Sequence, residues 1–304
     1  MMNASRLVGK TLMMAAGVVA AVGVMSGSAN AQPLPDFTIN QNTVSNCATF
    51  ANPVLPCSFV ADKMVGNYNE VFTATGATTF STVAYWDLGQ FVSNDGANPL
   101  ITPFLNNGLN GPAPLVPDGY RVYGLFSANG TFVANGLGGF DFTGLTGGID
   151  VFVDLAQDGS PKLLPPSAPG AVTVPGTADL LLASAALATS PCPFGLSCGR
   201  TTNTSASGDF NLTFQPFNLT ALGASYFVQP VPFYMTVILK GQFNSFNPTP
   251  IGCTPGLTPG ACSQTINGSA DAFFNTPAVI PEPATLTLVG LGLLGAARRR
   301  FRKS

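Results

Sequence analysis

Six cysteines and fourteen carboxylates are the residues of this 304-residue chain that could do chemistry, and there is no histidine to work with them. Without imidazole, Ser-His-Asp and Cys-His catalysis and most hydrolytic metal sites are ruled out. No Gly-x-Ser-x-Gly elbow and no phosphate loop with its lysine occurs. Among the carboxylates, Asp150, Asp154 and Asp158 come nearest to a cation site. Residues 150 and 154 share a face of a strand, 158 opens an Asp-Gly turn, and such oxygen ligands suit Ca²⁺. The spacing matches no calcium-loop pattern, so a solvated strand face running into a turn is the favoured reading. A glycosidase pair needs two facing carboxyl groups, yet glutamate is nearly missing and no pair stands out. The chain is expected to be no enzyme and to use no cofactor.

The cysteines fall into three sequence-local pairs: Cys47 with Cys57, Cys192 with Cys198, and Cys253 with Cys262. Each pair flanks a loop bearing Pro or Gly, which makes local disulfide closure easy, although six cysteines allow fifteen connectivities. Zinc is disfavoured, since there is no histidine and no Cys-x-x-Cys. The single tryptophan, Trp86, with Tyr85 beside it, could stack a sugar ring. A lone tryptophan on the apolar face of a strand is more often core.

The two ends of the chain are built for export. Arg6 and Lys10 precede an apolar stretch, Thr11 to Met25, and Ala29-Asn30-Ala31 forms a small-x-small cleavage site. This pattern predicts a signal peptide over 1–31, with the mature chain starting near Gln32. At the other end stand Pro281-Glu282-Pro283, an uncharged apolar run from Ala284 to Ala297, and a basic cap of Arg298, Arg299, Arg300, Arg302 and Lys303. Fourteen helical residues reach roughly 21 Å, short of the ~30 Å hydrocarbon core, which suits a transient membrane contact. The basic cap stays on the cytoplasmic side and places the segment between the two ends outside. Pro281 and Pro283 resist helix and hold the triplet extended, as a protease cleft requires.

This three-part tail resembles the PEP-CTERM sorting signal of Gram-negative bacteria, on the strength of the Pro-Glu-Pro triplet, the Gly/Leu helix and the arginine run in order. The resemblance implies recognition and cleavage by exosortase, a membrane cysteine transpeptidase, with Pro281, Glu282, Pro283, Arg298, Arg299 and Arg300 as the signal. The removal of a hydrophobic tail parallels lipid-anchor signals.

Between Gln32 and Pro281 lie five basic residues against thirteen acidic ones, a net charge of −8, although the whole chain sums to −2. Nucleic acid is therefore not expected as a partner. Charge is scarce, so the polar surface must come from Asn, Thr, Ser and Gln, which suits sugars, hydrated polymers and self-association. Period-two alternation recurs: Phe80, Ala84, Trp86 and Leu88; Ile149, Val151, Val153 and Leu155; Phe210, Leu212 and Phe214; Phe233, Met235, Val237 and Leu239. Turn dipeptides punctuate these runs at Asp95-Gly96, Asp118-Gly119, Asn129-Gly130, Asn135-Gly136 and Asp158-Gly159. Tyr120–Ala128 and Thr131–Ala134 about Asn129-Gly130 form the clearest expected hairpin. Pro/Gly-rich loops are expected over Asn98–Pro117, Pro161–Pro175 and Phe246–Gly260. Leu180–Ala188, rich in Leu and Ala, favours a helical turn. Many short strands without helical crossovers predict an all-β exported domain over 32–278. Its expected form is an antiparallel β-sandwich or jelly roll, flanked by the signal helix and by the short hydrophobic helix of a tail over 279–304.

Six blocks of this domain are similar to the flocculation-associated PEP-CTERM proteins: residues 59–73 (FVADKMVGNYNEVFT), 85–96 (YWDLGQFVSNDG), 120–132 (YRVYGLFSANGTF), 149–159 (IDVFVDLAQDG), 230–246 (PVPFYMTVILKGQFNSF) and 264–274 (QTINGSADAFF). The resemblance implies a role in floc or biofilm formation at the cell surface or in the extracellular matrix, with exopolysaccharide as partner. It implies no active site, and it tilts Leu180–Ala188 toward a strand. The alternative is a lectin-like carbohydrate-binding module, with calcium as an optional aid to binding.

Overall fold

The structure is a computed structural model that describes residues 33–49, 57–102, 104–106, 119–157, 162–163, 172–173, 179–188, 197–202, 205–243 and 262–275. The expected signal helix and hydrophobic tail helix both lie outside the described residues. Strands β1 (Phe37–Asn40) and β2 (Ser58–Ala61) lead into β3 (Lys63–Ala74), β4 (Thr79–Ser93) and the short β5 (Asn98–Pro99). Then come β6 (Arg121–Ala134), β7 (Phe140–Asp154), a two-residue pair β8 (Lys162–Leu163) and β9 (Val172–Thr173), β10 (Leu180–Ala186) and β11 (Cys198–Thr202). The chain continues with β12 (Ser205–Phe214), β13 (Asn218–Leu219), helix α1 (Ala221–Tyr226), β14 (Phe227–Gln229), β15 (Thr236–Phe243) and β16 (Cys262–Asn275).

Eight of these strands close into an antiparallel barrel in the order β3-β4-β6-β7-β11-β12-β15-β16, and β16 pairs back onto β3. Each stave neighbours the next in the chain, so the topology is up-and-down. The expected sandwich is thereby corrected. A sandwich leaves four sheet edges; here the pairs Cys198↔Thr143 and Ala270↔Gly66 use up the edges that would remain. The position between β7 and β12 is filled by two strands in succession. β10 pairs with Gly148–Val153 of β7 and β11 with Asp141–Thr143, and both run in the same direction. Residues 189–196, between the two, lie outside the described residues. The break in the stave is pinched by Ser197, whose Oγ donates to the Ala188 carbonyl at 2.5 Å. Leu180–Ala188 is thus mainly strand, because β10 has a ready edge to complete on β7.

Alternation sets the two faces of the wall. Phe80, Thr82, Ala84, Trp86 and Leu88 of β4 point inward and are buried. Outward positions such as Asn67, Ser127, Asp150, Asn267 and Ser269 are exposed. A lipid-spanning barrel needs an apolar outer band; these outward positions are polar, although Val133 and Leu145 are exposed as well. Among the described residues, no helix is long and apolar enough to cross a membrane.

An eight-stranded barrel has little interior room, so large rings are accommodated where a facing residue lacks a side chain. Trp86 lies across Gly66 of β3 and donates its indole N–H to the Ala270 carbonyl of β16 at 3.0 Å. A Cβ at Gly66 would stand 2.5 Å from that indole nitrogen and 2.2 Å from the Asp87 carbonyl. The register of the β3–β4 pair shifts at Val65/Gly66, the bulge that lets the indole through. Gly130 plays the same part for Phe80, whose ring carbon would be 2.7 Å from an added Cβ, again beside a register shift. This corrects the expected hairpin at Asn129-Gly130. β6 runs straight through both residues, and the turn to β7 falls at Asn135–Gly139.

One end of the barrel is plugged by the small sheet β14-β1-β2. Phe37 of β1 sits 4.9 Å from Phe274 and 6.5 Å from Phe91, ring to ring. Beneath it, the fully buried Tyr120 hydroxyl meets Gln41 Oε1 at 3.1 Å and the Tyr226 hydroxyl at 3.2 Å. α1, unforeseen in the sequence, carries Tyr226 into this cluster and is started by Thr220, whose Oγ1 accepts from Gly223 N at 3.0 Å.

Because Gly66 is crowded by both backbone and indole, Gly66→Ala is predicted to cost about 1–3 kcal/mol of stability. Urea unfolding checks this; an unchanged midpoint would show that the indole does not lie across β3.

Candidate functional site

Among the described regions that could receive a ligand are one on the outer wall of the barrel and one in its lumen. The outer one is a groove of about 660 Å³ across β11, β12, β15 and β16, with Asp141 of β7 at its edge. Its charges are largely paired already. Arg200 holds Asp141 through two bonds, Nε–Oδ1 at 2.7 Å and Nη2–Oδ2 at 3.2 Å, and this keeps the Asp141 carboxyl below its ordinary range. Lys63 reaches Asp271 at 2.9 Å, and Lys240 Nζ lies 5.4 Å from the centre of the Phe273 ring. What remains for a ligand is Asp209, Asn211, Gln242 and Ser269, a set of amide, hydroxyl and carboxylate groups suited to sugar hydroxyls.

The second region is a cavity of about 80 Å³ within the barrel, lined almost wholly by apolar side chains, among them Trp86, Phe126, Phe210 and Leu239. Glu70, the only glutamate between Gln32 and Pro281, faces it from β3. The period-two register of β3 puts Met64, Tyr68 and Phe72 on the same inward face. Glu70 is half-buried, and its carboxyl side chain lines the cavity. Burial pushes that carboxyl up to about 7, partly offset by its bond to Thr82. The Thr82 hydroxyl lies within hydrogen-bond reach of both Glu70 Oε1 and the Val71 carbonyl, yet has one proton to give. A protonated Glu70 resolves this by donating to Thr82, which then donates to Val71. Tyr68, also on the cavity wall, has a buried hydroxyl with no hydrogen-bond partner among the described residues.

The side chains singled out from the sequence are widely separated. Trp86 is 3 % exposed inside the barrel. Tyr85 is on the opposite face of β4, where its hydroxyl accepts from Asn69 Nδ2 at 3.0 Å, so the two rings form no common platform. Asp150 is exposed on the outer wall and Asp154 is fully buried, accepting from Gln157 N at 2.6 Å. Four residues along a strand separate their Cα atoms by roughly 13 Å, and Asp158 lies outside the described residues. Among the described residues, no group of three or more His, Cys, Asp or Glu is placed to hold a metal ion. Cys47 and Cys57 form a disulfide with Cα atoms 5.6 Å apart. Cys198 is also disulfide-bonded; Cys192, Cys253 and the side chain of Cys262 lie outside the described residues. So do Pro281, Glu282, Pro283, Arg298, Arg299 and Arg300. Glu70 was overlooked in the sequence, although the spacing Tyr68, Glu70, Phe72 already placed it on an aromatic strand face.

Residues 279–303 match the PEP-CTERM protein-sorting motif. No curated protein and no solved structure matches the chain. The motif implies an exported protein that is processed by exosortase. The chain thus joins a PEP-CTERM sorting tail to an eight-stranded barrel.

The enclosed carboxyl makes stability depend on pH. An unfolded glutamate titrates near 4.3, whereas Glu70 is held at about 7. Its contribution is therefore complete below about pH 4 and is lost as pH rises through about 7, a change of about 4 kcal/mol. Glu70→Gln is predicted to remove this slope and to be the more stable protein at pH 8. Urea midpoints of both proteins at pH 4.5 and 8 measure it; parallel slopes would contradict the assignment.

Proposed function

We propose that the barrel is a non-enzymatic component of the extracellular matrix that promotes cell aggregation, in flocs or biofilm, together with exopolysaccharide. The observation that carries this reading is the sorting motif at 279–303, which directs the chain out of the cell. Exosortase is the processing partner, and the tail makes a transient inner-membrane contact before the barrel is released to the surface of a Gram-negative cell. The barrel supports the role in two ways. Its wall has few free charges and many amides and hydroxyls, so it can lie against a hydrated polymer without strong repulsion. Its closed sheet offers no long strand edge for uncontrolled β-pairing. Of the blocks that resemble flocculation-associated proteins, residues 63–73 lie on stave β3 and residues 149–154 on stave β7.

A second reading is a lectin-like module with the outer groove as a defined sugar site, favoured by the groove's size and its hydrogen-bonding lining. Saturable binding of an oligosaccharide, lost in Asp209→Ala with folding intact, would select it over a diffuse matrix contact.

The test is cellular. Deleting the gene is predicted to abolish flocs or biofilm, and replacing Pro281, Glu282 and Pro283 with alanine is predicted to leave the protein unprocessed and in the membrane fraction. Normal aggregates in the deletion strain, or normal surface delivery of the triple-alanine protein, would overturn the proposal.

A further inference from the structure

The lumen contains a carboxyl without a counter-charge. From β4, β6, β7, β11, β12, β15 and β16 the described cavity wall presents no group that titrates, since Cys198 is disulfide-bonded. On β3, Glu70 is joined only by Tyr68, whose phenol burial pushes far up. No lysine or arginine is among the described lining residues. A carboxylate in such surroundings is costly, and an apolar residue at 70 would continue the pattern of Tyr68 and Phe72 at no such cost. A group kept there against stability is explained by something that enters the lumen and needs it.

We propose that the lumen is a binding site for a small organic ammonium ion, with the Glu70 carboxylate as its counter-ion and the surrounding aromatic rings as its walls. Three features of the cavity select a cation. Among the described lining residues, the one ionisable group able to carry charge at ordinary pH is an acid. Trp86, Phe126 and Phe210 supply π-systems, which attract cations more strongly when water is excluded. Thr82 is hydrogen-bonded to Glu70 Oε1, and Glu70 lines the cavity, where its carboxyl can meet a ligand. Size sets the limit. A cavity of about 80 Å³ matches two to three water volumes at about 30 Å³ each, which suits a head group of about four non-hydrogen atoms. The ligand class is therefore a short-chain alkylammonium ion, or the ammonium end of a longer molecule.

Binding requires the ionised carboxylate, so below about pH 7 each ammonium that enters must displace the Glu70 proton into solvent. The affinity should then fall about tenfold per pH unit.

Trp86 is the only tryptophan in the chain and stands on the cavity wall, so its fluorescence reports occupancy. The secreted protein is titrated with isopropylammonium chloride at pH 8 and pH 5.5, against matched sodium chloride. Titration with 2-propanol, an uncharged molecule of the same size, runs in parallel. The expected result is a saturable change at pH 8, more than tenfold weaker at pH 5.5, not produced by 2-propanol and lost in Glu70→Gln. An Asp209→Asn change in the outer groove should leave it intact. No saturable change at pH 8, equal affinity at both pH values, equal binding of 2-propanol, or retention in Glu70→Gln would each overturn the proposal. The pH and 2-propanol comparisons need only the wild-type protein, so the outcome does not depend on how the variant folds.

Discussion

The pairing of β16 with β3 is the constraint on which the rest of the molecule depends. Eleven residue pairs, from Cys262↔Ala74 to Ala272↔Met64, join the last stave to the first. Once that seam forms, the sheet has a fixed circumference and its inward side chains share one narrow space. The consequences can be followed residue by residue. Trp86 must cross Gly66 to fit, and in doing so ties β4 to the carbonyl of Ala270 on β16, over the intervening β3. Phe80 must lie over Gly130. Closure also requires the gap between β7 and β12 to be filled along its length, which the chain achieves with β10 at one end and β11 at the other.

Much of this was legible in the sequence, and the failures have physical causes. The alternation in Phe80–Leu88 and Ile149–Val153 reports burial on one face of a strand, and these residues are buried inside the wall. It fails at Leu155, which is 40 % exposed just past the end of β7. Alternation cannot tell a sandwich from a barrel, because both bury one face. The difference lies in pairs such as Ala272↔Met64, more than two hundred residues apart. Asn129-Gly130 looked like a hairpin turn because glycine is used for two purposes, positive dihedrals and close approach; here the second applies. Asp95-Gly96 does turn, with φ of 55° and 77°. The outer groove was foreshadowed by the expected Asn/Gln/Ser surface. The lumen site was not, because an isolated glutamate reads as surface charge until its strand register is considered.

Inside and outside of the barrel therefore answer different needs. The outer wall is polar and sparsely charged at positions such as Asn67, Ser127 and Ser269. The lumen is aromatic, and among its described lining residues Glu70 is the single carboxylic acid. Delivery is the business of a third part, the tail at 279–303. Its removal, together with that of the signal peptide expected over 1–31, would take away seven of the twelve basic residues and leave an acidic remainder. The acidic balance of the exported region and the enclosed acid of the lumen both follow from how few cations that region contains.

Burial in the lumen pushes the Glu70 carboxyl up to about 7, so that it is about half ionised at neutral pH. Glutamate labelled with ¹³C at its carboxyl gives few signals in this chain, since Glu70 and Glu282 are its only glutamates. A pH titration of the Glu70 carboxyl resonance by NMR is predicted to have its midpoint at about 7. A midpoint near 4.3, the value of a solvated glutamate, would show that the carboxyl reaches water and that the lumen is not the enclosed site described.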